Sequence, residues 1–438
     1  MNDLQSEMVD VSRLRKGMFI QLDLGWMAHP FPLNRFKISS EDQIRTIASL
    51  GVLQVRHYPA QSDAGAEPLA DAPAPSGADG AGDAAAADDS PARAEARRRQ
   101  IHAAALAAQR DSLRQCEQRY LHAGRCFRLI AEQVAERPRD AARQGEQLVR
   151  QCMDDIRDAQ GDGVIRLLSQ TSGERSAQHP LNVLVIALLL GRALGMPHDE
   201  ILDLGQAALL HDIGKQGLPD RVRHPTDGFM MYEHRLYQSH VQLGVEAAGR
   251  MGLPRRVVEA IAQHHEMVDG SGFPLKLRGE DRLQLAGKVI ALVNRYDNLC
   301  NPARGVATMT PHEALSVIFS QMKARFDGRV LAAFIRMMGV YPPGSLVRLS
   351  DERWATVVAV NPVRPLRPRV LVYDPSTSRD EALLLNLETV PELGIARSLR
   401  ASQLPQPALH YLMPQQRVNY FFERTAGAGA DAQAEGAP

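Results

Sequence analysis

Two short runs carry residue types that bind metal ions, His211-Asp212 and His264-His265-Glu266, and each stands where an apolar helical stretch stops. Ile201 to Leu210 precedes the first and Val257 to Ala262 the second, so both sets of side chains are expected at helix ends that turn inward. Imidazole with carboxylate suits a borderline ion such as iron, manganese or zinc, and a carboxylate can bridge two ions, which imidazole cannot. After the first run comes Ile213-Gly214-Lys215, in which Gly214 reads as the stop of the helix. After the second comes Asp269-Gly270-Ser271-Gly272-Phe273-Pro274, a tight turn whose glycines would let backbone N–H groups approach a phosphate. His179 and His240 fall in the same helical region. The other histidines, His57 and His224 among them, default to ordinary hydrogen-bonded surface or core roles.

The elements that must position these groups are helical. From about residue 140 to 340 the apolar spacing is i, i+3, i+4 throughout, which predicts an all-α domain without strands. Residues 1–60 read as a small α+β unit: strand-like Met18 to Leu22, a Pro-rich turn at His29-Pro30-Phe31-Pro32, a helix capped by Ser40 through Leu50, and strand-like Val52 to Val55. Residues 61–92 are Ala, Asp, Gly, Pro and Ser with almost no large apolar side chain, the composition of a disordered linker. Residues 93–136 lack Pro and predict one long helix, with Arg97, Arg98 and Arg99 on a solvated face. After Tyr341-Pro342-Pro343-Gly344 short β-branched stretches at Ser345 to Arg348, Ala355 to Val360 and Arg369 to Tyr373 predict a small β appendage over 341–424, and 425–438 again reads as a disordered tail.

Lys plus Arg equals Asp plus Glu at 51 each, so no net field draws the whole chain to DNA or to an anionic membrane, and an anionic ligand must be held locally. The four cysteines form no metal-type pair, Met1-Asn2-Asp3-Leu4 does not lead into the basic and apolar run of a secretory leader, so none is expected, and Val183 to Leu190 is too short to span a bilayer. A reducing cytoplasm is the expected setting.

His179, His211-Asp212-Ile213-Gly214-Lys215, His240, His264-His265-Glu266 and Asp269-Gly270-Ser271-Gly272-Phe273-Pro274 resemble, in order and spacing, the HD-GYP phosphodiesterases of the HD superfamily, over roughly residues 165 to 315. The first 60 residues resemble a domain of unknown function common in front of them. The resemblance implies a mainly α fold: an HD-type helical bundle holding the metal site, flanked by the N-terminal α+β domain and the C-terminal β appendage. It implies two divalent ions, typically iron or manganese, held by His179, His211, Asp212, His240, His264, His265 and Asn294, with Asp212 bridging them. It implies hydrolysis of cyclic di-GMP to the linear dinucleotide pGpG or to GMP, with hydroxide as nucleophile, Asp212 and Lys215 as the catalytic residues, and Lys215, Gly270, Gly272, Phe273 and Arg304 toward the substrate.

Three positions depart from the family pattern. Asn294, in Val293-Asn294-Arg295-Tyr296-Asp297, stands for a ligating aspartate, which removes a charge and weakens one ion, with Asp297 able to compensate in part. Phe273 stands for the tyrosine of the family name, and Cys300-Asn301-Pro302-Ala303-Arg304 offers only Arg304 where an Arg-rich stretch is usual. A Glu four residues before the first His serves a third ion in some members; here that position is Arg175, beside Glu174, so two ions are expected. Glu266 and Asp269 are expected to brace the loop. Three functions stay open: a cyclic di-GMP phosphodiesterase, a degenerate module that binds nucleotide or partner proteins without turnover, and an HD phosphohydrolase for another nucleotide. The N-terminal unit and long helix are the natural place for a homodimer contact or a signalling partner.

Overall fold

The computed structural model describes residues 6–22, 35–49, 52, 54–63, 91–158, 164–168, 175–224, 228–302, 308–360, 366–390, 392–413 and 418–423. The chain divides into two units, residues 1–110 with 389–393, and residues 111–388 with 394–438. In the first, strands β1 (Glu7–Asp10), β2 (Phe19–Gln21), β3 (Arg35–Lys37) and β4 (Gln54–His57) form an antiparallel sheet in the order β1-β4-β2-β3. Helix α1 (Glu41–Ser49) follows β3, and Ser40 caps it by accepting from the Gln43 N–H. Met18, Ile20, Leu22, Phe36, Ile38, Ile47 and Val55 form the core. The last strand begins two residues later than Val52, and its His57 is buried, its ring bonded to Glu7 and Ser62. The Pro-rich turn at 29–32, most of the 61–92 segment and the 425–438 tail lie outside the described residues.

Helix α2 (Pro91–Gln133) is the long helix the composition predicts. Arg97 and Arg99 are exposed, and from Cys116 onward Tyr120, Ala123, Phe127 and Ile130 recur at helical spacing and enter the core of the second unit. That core is a bundle of α3 (Pro138–Asp158), α4 (Arg175–Ala193), α5 (His198–Leu210), α6 (Met231–Gln238), α7 (His240–Met251), α8 (Arg255–Gln263), α9 (Leu285–Cys300), α10 (Pro311–Gln321) and α11 (Gly328–Met338). Helix α4 is apolar all round: Leu181 and every residue from Val183 to Leu190 is buried, because α5, α9 and α11 cover it on different sides. No helix among the described residues is long and apolar enough to cross a membrane.

The expectation of an all-α stretch from 140 to 340 fails at one place. Val164–Leu167 is a strand, β5, that pairs antiparallel with β7 (Trp354–Val360) and with β11 (Tyr420–Glu423). Four residues give too few alternations to stand out against the helical periodicity around them, and their partners lie about two hundred residues downstream. The sheet they join runs β10 (Ile395–Leu399), β6 (Leu346–Leu349), β7, β5, β11. β8 (Arg369–Val372) also pairs with β7, and β9 (Leu385–Asn386) pairs with β8. Helix α12 (Gln406–Leu412) packs its buried Ala408 and Leu412 into the satellite core with Leu346 and Leu371. The β-branched stretches after residue 344 thus become β6, β7 and β8, as their composition predicts. The fold class is mainly α with strand-bearing ends.

Candidate metal centre

An α-helix leaves its last four carbonyls without intrahelical donors, and three of the candidate histidines use that shortage. His211 is the C-cap of α5, and its Nδ1 lies 2.8 Å from the Ala208 carbonyl. His264 is the C-cap of α8, with Nδ1 at 2.6 Å from the Ile261 carbonyl. His240 opens α7 directly after α6 ends, and its Nδ1 reaches the Tyr237 carbonyl at 2.6 Å. A carbonyl can only accept, so in each ring Nδ1 carries the proton and Nε2 presents a lone pair. His179, in the second turn of α4, reaches the same state by another route: its Nδ1 lies 2.6 Å from the Asp297 carboxylate on α9.

These lone pairs meet. Nε2 of His179 stands 3.1 Å from Nε2 of His211, and Nε2 of His240 stands 3.2 Å from Nε2 of His264. Neither atom of either pair has a proton to share, so the pairs repel unless a cation lies against them. Between them is Asp212. Its Oδ2 lies 3.5 and 3.4 Å from Nε2 of His179 and His211, and its Oδ1 lies 3.4 and 3.7 Å from Nε2 of His240 and His264. One carboxylate therefore serves two donor groups, His179-His211-Asp212 and Asp212-His240-His264-His265, each with ligand atoms within 4.8 Å of one another.

The electrostatics favour metal-ready protonation states. Burial raises the Asp212 carboxyl, but the Lys215 ammonium and the adjacent His211 outweigh it and hold the group well below the usual carboxylate range. Burial pushes His264 and His265 well below the ordinary histidine value and lowers His240 as well, with neighbouring histidines adding to the effect in all three. Asp212 Oδ1 and His265 Nε2 are buried without a hydrogen-bond partner. Unpartnered acceptors beside facing lone pairs are the signature of a cation site, and the donor set of neutral imidazoles and a shared carboxylate fits divalent metal.

Lys215 Nζ lies 2.6 Å from Asp212 Oδ2 and 5.2 Å from the centre of the Tyr237 ring. Gly214 does not end a helix by a left-handed turn. It sits inside a 3-10 turn, Ile213–Gly217, where a Cβ would lie 2.0 Å from the His240 carbonyl, so the missing side chain lets the His211-Asp212 turn press against the start of α7. Gly272 plays a similar part: a Cβ there would meet the His265 carbonyl at 2.4 Å and the Met267 nitrogen at 2.5 Å. The turn is thus packed onto the histidine pair, and Phe273 stacks on the His265 ring with centroids 4.4 Å apart. Gly270 takes a positive φ of 79°. Glu266, fully buried, accepts from the N–H groups of Leu275 and Leu277, and Asp269 accepts from Ser271, so both brace the loop as expected.

Residues 163–330 match the family model for an HD domain, and residues 7–161 match the domain of unknown function DUF3391. Residues 163–330 are thus similar to HD domains. The chain is 29% identical over 397 residues to the cyclic di-GMP phosphodiesterase PA4108 of Pseudomonas aeruginosa, covering 85% of this chain and 86% of that protein. It is 30% identical over 219 residues to the 3'3'-cGAMP-specific phosphodiesterase 2 of Vibrio cholerae, covering 49% of this chain and 38% of that one. It is 30% identical over 155 residues to the cyclic di-GMP phosphodiesterase response regulator RpfG of Xanthomonas campestris, covering 34% and 40%. The match to DUF3391 runs from residue 7 to residue 161, so it takes in the long helix and α3 as well as most of the first 60 residues.

Asn294 is buried on α9, and its side-chain oxygen accepts from Asn298 at 2.6 Å. Asp297, one turn later, is the residue that touches a site histidine. Arg304 and Glu174 lie outside the described residues, as does the side chain of Arg175. Sequence reasoning missed Tyr237, whose ring lies 4.8 Å from that of His240, and Asn182 and Asn301, whose amides donate to Asp297. The spacing of Asn182 three residues after His179, one helical turn, was a usable signal; the contribution of Asn301 depends on tertiary packing.

Proposed function

We propose that the chain is a two-metal phosphodiesterase that hydrolyses cyclic di-GMP to pGpG or GMP. The observation that carries this reading is the placement of Asp212, one oxygen toward each histidine group. His179, His211 and Asp212 would hold one divalent ion, Asp212, His240, His264 and His265 the other, with iron or manganese suited to mixed nitrogen and oxygen donors. Bound there, such a pair supplies hydroxide at neutral pH and Lewis-acid polarisation of a phosphoryl oxygen.

The chain's own residues do the rest. The backbone carbonyls at the ends of α5, α6 and α8 keep the imidazoles in the one tautomer that can donate from Nε2. Lys215 brings a fixed positive charge beside Asp212, where it can meet a phosphate oxygen that accumulates charge. Phe273 covers the face of His265, and Glu266 holds the backbone of 275–277 in place, so the rim of the site is fixed before substrate arrives. The choice of cyclic di-GMP is supported by the names of the relatives matched over most of this chain or within its HD domain.

The test is turnover of cyclic di-GMP and of 3'3'-cGAMP by manganese- or iron-loaded protein, with products resolved by chromatography. Cyclic di-GMP cleavage that disappears in His211→Ala supports the proposal. Metal-replete protein that leaves cyclic di-GMP intact contradicts it, and preferential cleavage of 3'3'-cGAMP reassigns the substrate.

A further inference from the structure

Asp297 is fully buried, and both its oxygens are committed. Oδ2 faces Nδ1 of His179 at 2.6 Å, and Oδ1 accepts from Asn182 at 2.8 Å and from Asn301 at 2.9 Å. The two asparagines come from α4 and from the end of α9, and both also grip the start of the last strand. Each Nδ2 donates to the Val418 carbonyl at 2.9 Å, the Val418 N–H donates to Asn301 Oδ1 at 2.8 Å, and the Tyr420 N–H donates to Asn182 Oδ1 at 3.0 Å. Every polar atom of both amide groups therefore has its partner in Asp297 or in residues 418–420, a segment outside the matched HD domain of 163–330.

We propose that the C-terminal strand β11 is a positioning element of the metal centre. The backbone of Val418, two residues ahead of it, and of Tyr420, its first residue, sets the two asparagine amides, the amides aim the Asp297 carboxylate, and that carboxylate fixes the proton of His179 on Nδ1. Without it the Asp212 carboxylate, 3.5 Å from Nε2, would draw the proton there, because this histidine, unlike His211, His240 and His264, has no helix-end carbonyl to hold it on Nδ1. Metal affinity on the His179 side thus depends on a segment more than two hundred residues away in sequence.

The inference rests on the two-metal reading, and its first readout needs no metal. In metal-free full-length protein, nitrogen NMR of histidine is expected to find His179 protonated at Nδ1 and bare at Nε2. Asp297→Asn, isosteric but able to donate toward Nδ1, moves the proton to Nε2. Manganese titration of Asn301→Ala, at a half-buried position, is expected to show one of the two ions weakened roughly 10- to 100-fold, the usual cost of removing such an orienting partner. Tyr420→Phe is the structural control. It removes the hydroxyl contacts to Tyr296 and Pro343 but keeps the backbone bond to Asn182, so it lowers melting temperature and leaves manganese affinity unchanged. Wild-type manganese affinity in Asn301→Ala overturns the role of β11, and Nε2 protonation of His179 in the metal-free wild type overturns the tautomer argument. Wild-type protein that binds no manganese while keeping the Nδ1 tautomer contradicts the metal reading instead.

Discussion

The two sides of Asp212 are built by different means. On the Oδ1 side, His240 and His264 are oriented by carbonyls three residues back in their own chain, and His265 is packed under Phe273 from the adjoining loop. Everything there is local. On the Oδ2 side, His211 is local in the same way, but His179 depends on α9 and, through two asparagines, on β11, while Lys215 competes for the same carboxylate oxygen. A ligand at a helix C-terminus inherits its orientation from the helix, whereas one inside a helix must be oriented from elsewhere. The difference predicts that the Oδ1 side is the more robust half of the centre.

Changes to the shared residue should erase that difference. Asp212→Ala removes a donor from both sides, and loss of several kcal/mol of charge stabilisation lowers turnover by roughly 10³-fold or more, measured as kcat on cyclic di-GMP. Lys215→Met separates chemistry from binding: kcat is expected to fall about 10²-fold, while manganese affinity on the Oδ2 side is kept or improved because Asp212 loses a competing cation. Gly272→Ala attacks the local half, since the new methyl must displace the backbone of 265–267; a loss of about 1–3 kcal/mol of stability in thermal or denaturant melts is expected. The smallest effect is expected from Asn294→Asp. Adding a carboxylate to the buried α9 face should tighten manganese by about tenfold if position 294 ligates, and a flat titration would leave that position structural.

The local half was also the legible half. His211-Asp212 and His264-His265 end apolar helices, a pattern visible without any knowledge of distant contacts, and the fold class follows from the same periodicity. Gly214 reads as a helix stop but instead sits inside a 3-10 turn and clears the His240 carbonyl, and the close packing that Gly272 permits was not legible, because sequence announces a glycine without saying which backbone it must clear. Strand β5 and the Asn182–Asp297–Asn301 cluster were invisible for one reason. Each exists only when segments more than a hundred residues apart meet, and neither a four-residue strand nor an asparagine on a helix signals its partner.

The central claim, that one carboxylate is shared by two ions, is tested most directly by counting manganese per chain in reconstituted wild-type, His265→Ala and Asp212→Ala proteins. Two ions in the wild type, one retained in His265→Ala and neither held stoichiometrically in Asp212→Ala is the predicted result. Full retention of an ion by Asp212→Ala, or a single ion in the wild type, would contradict it.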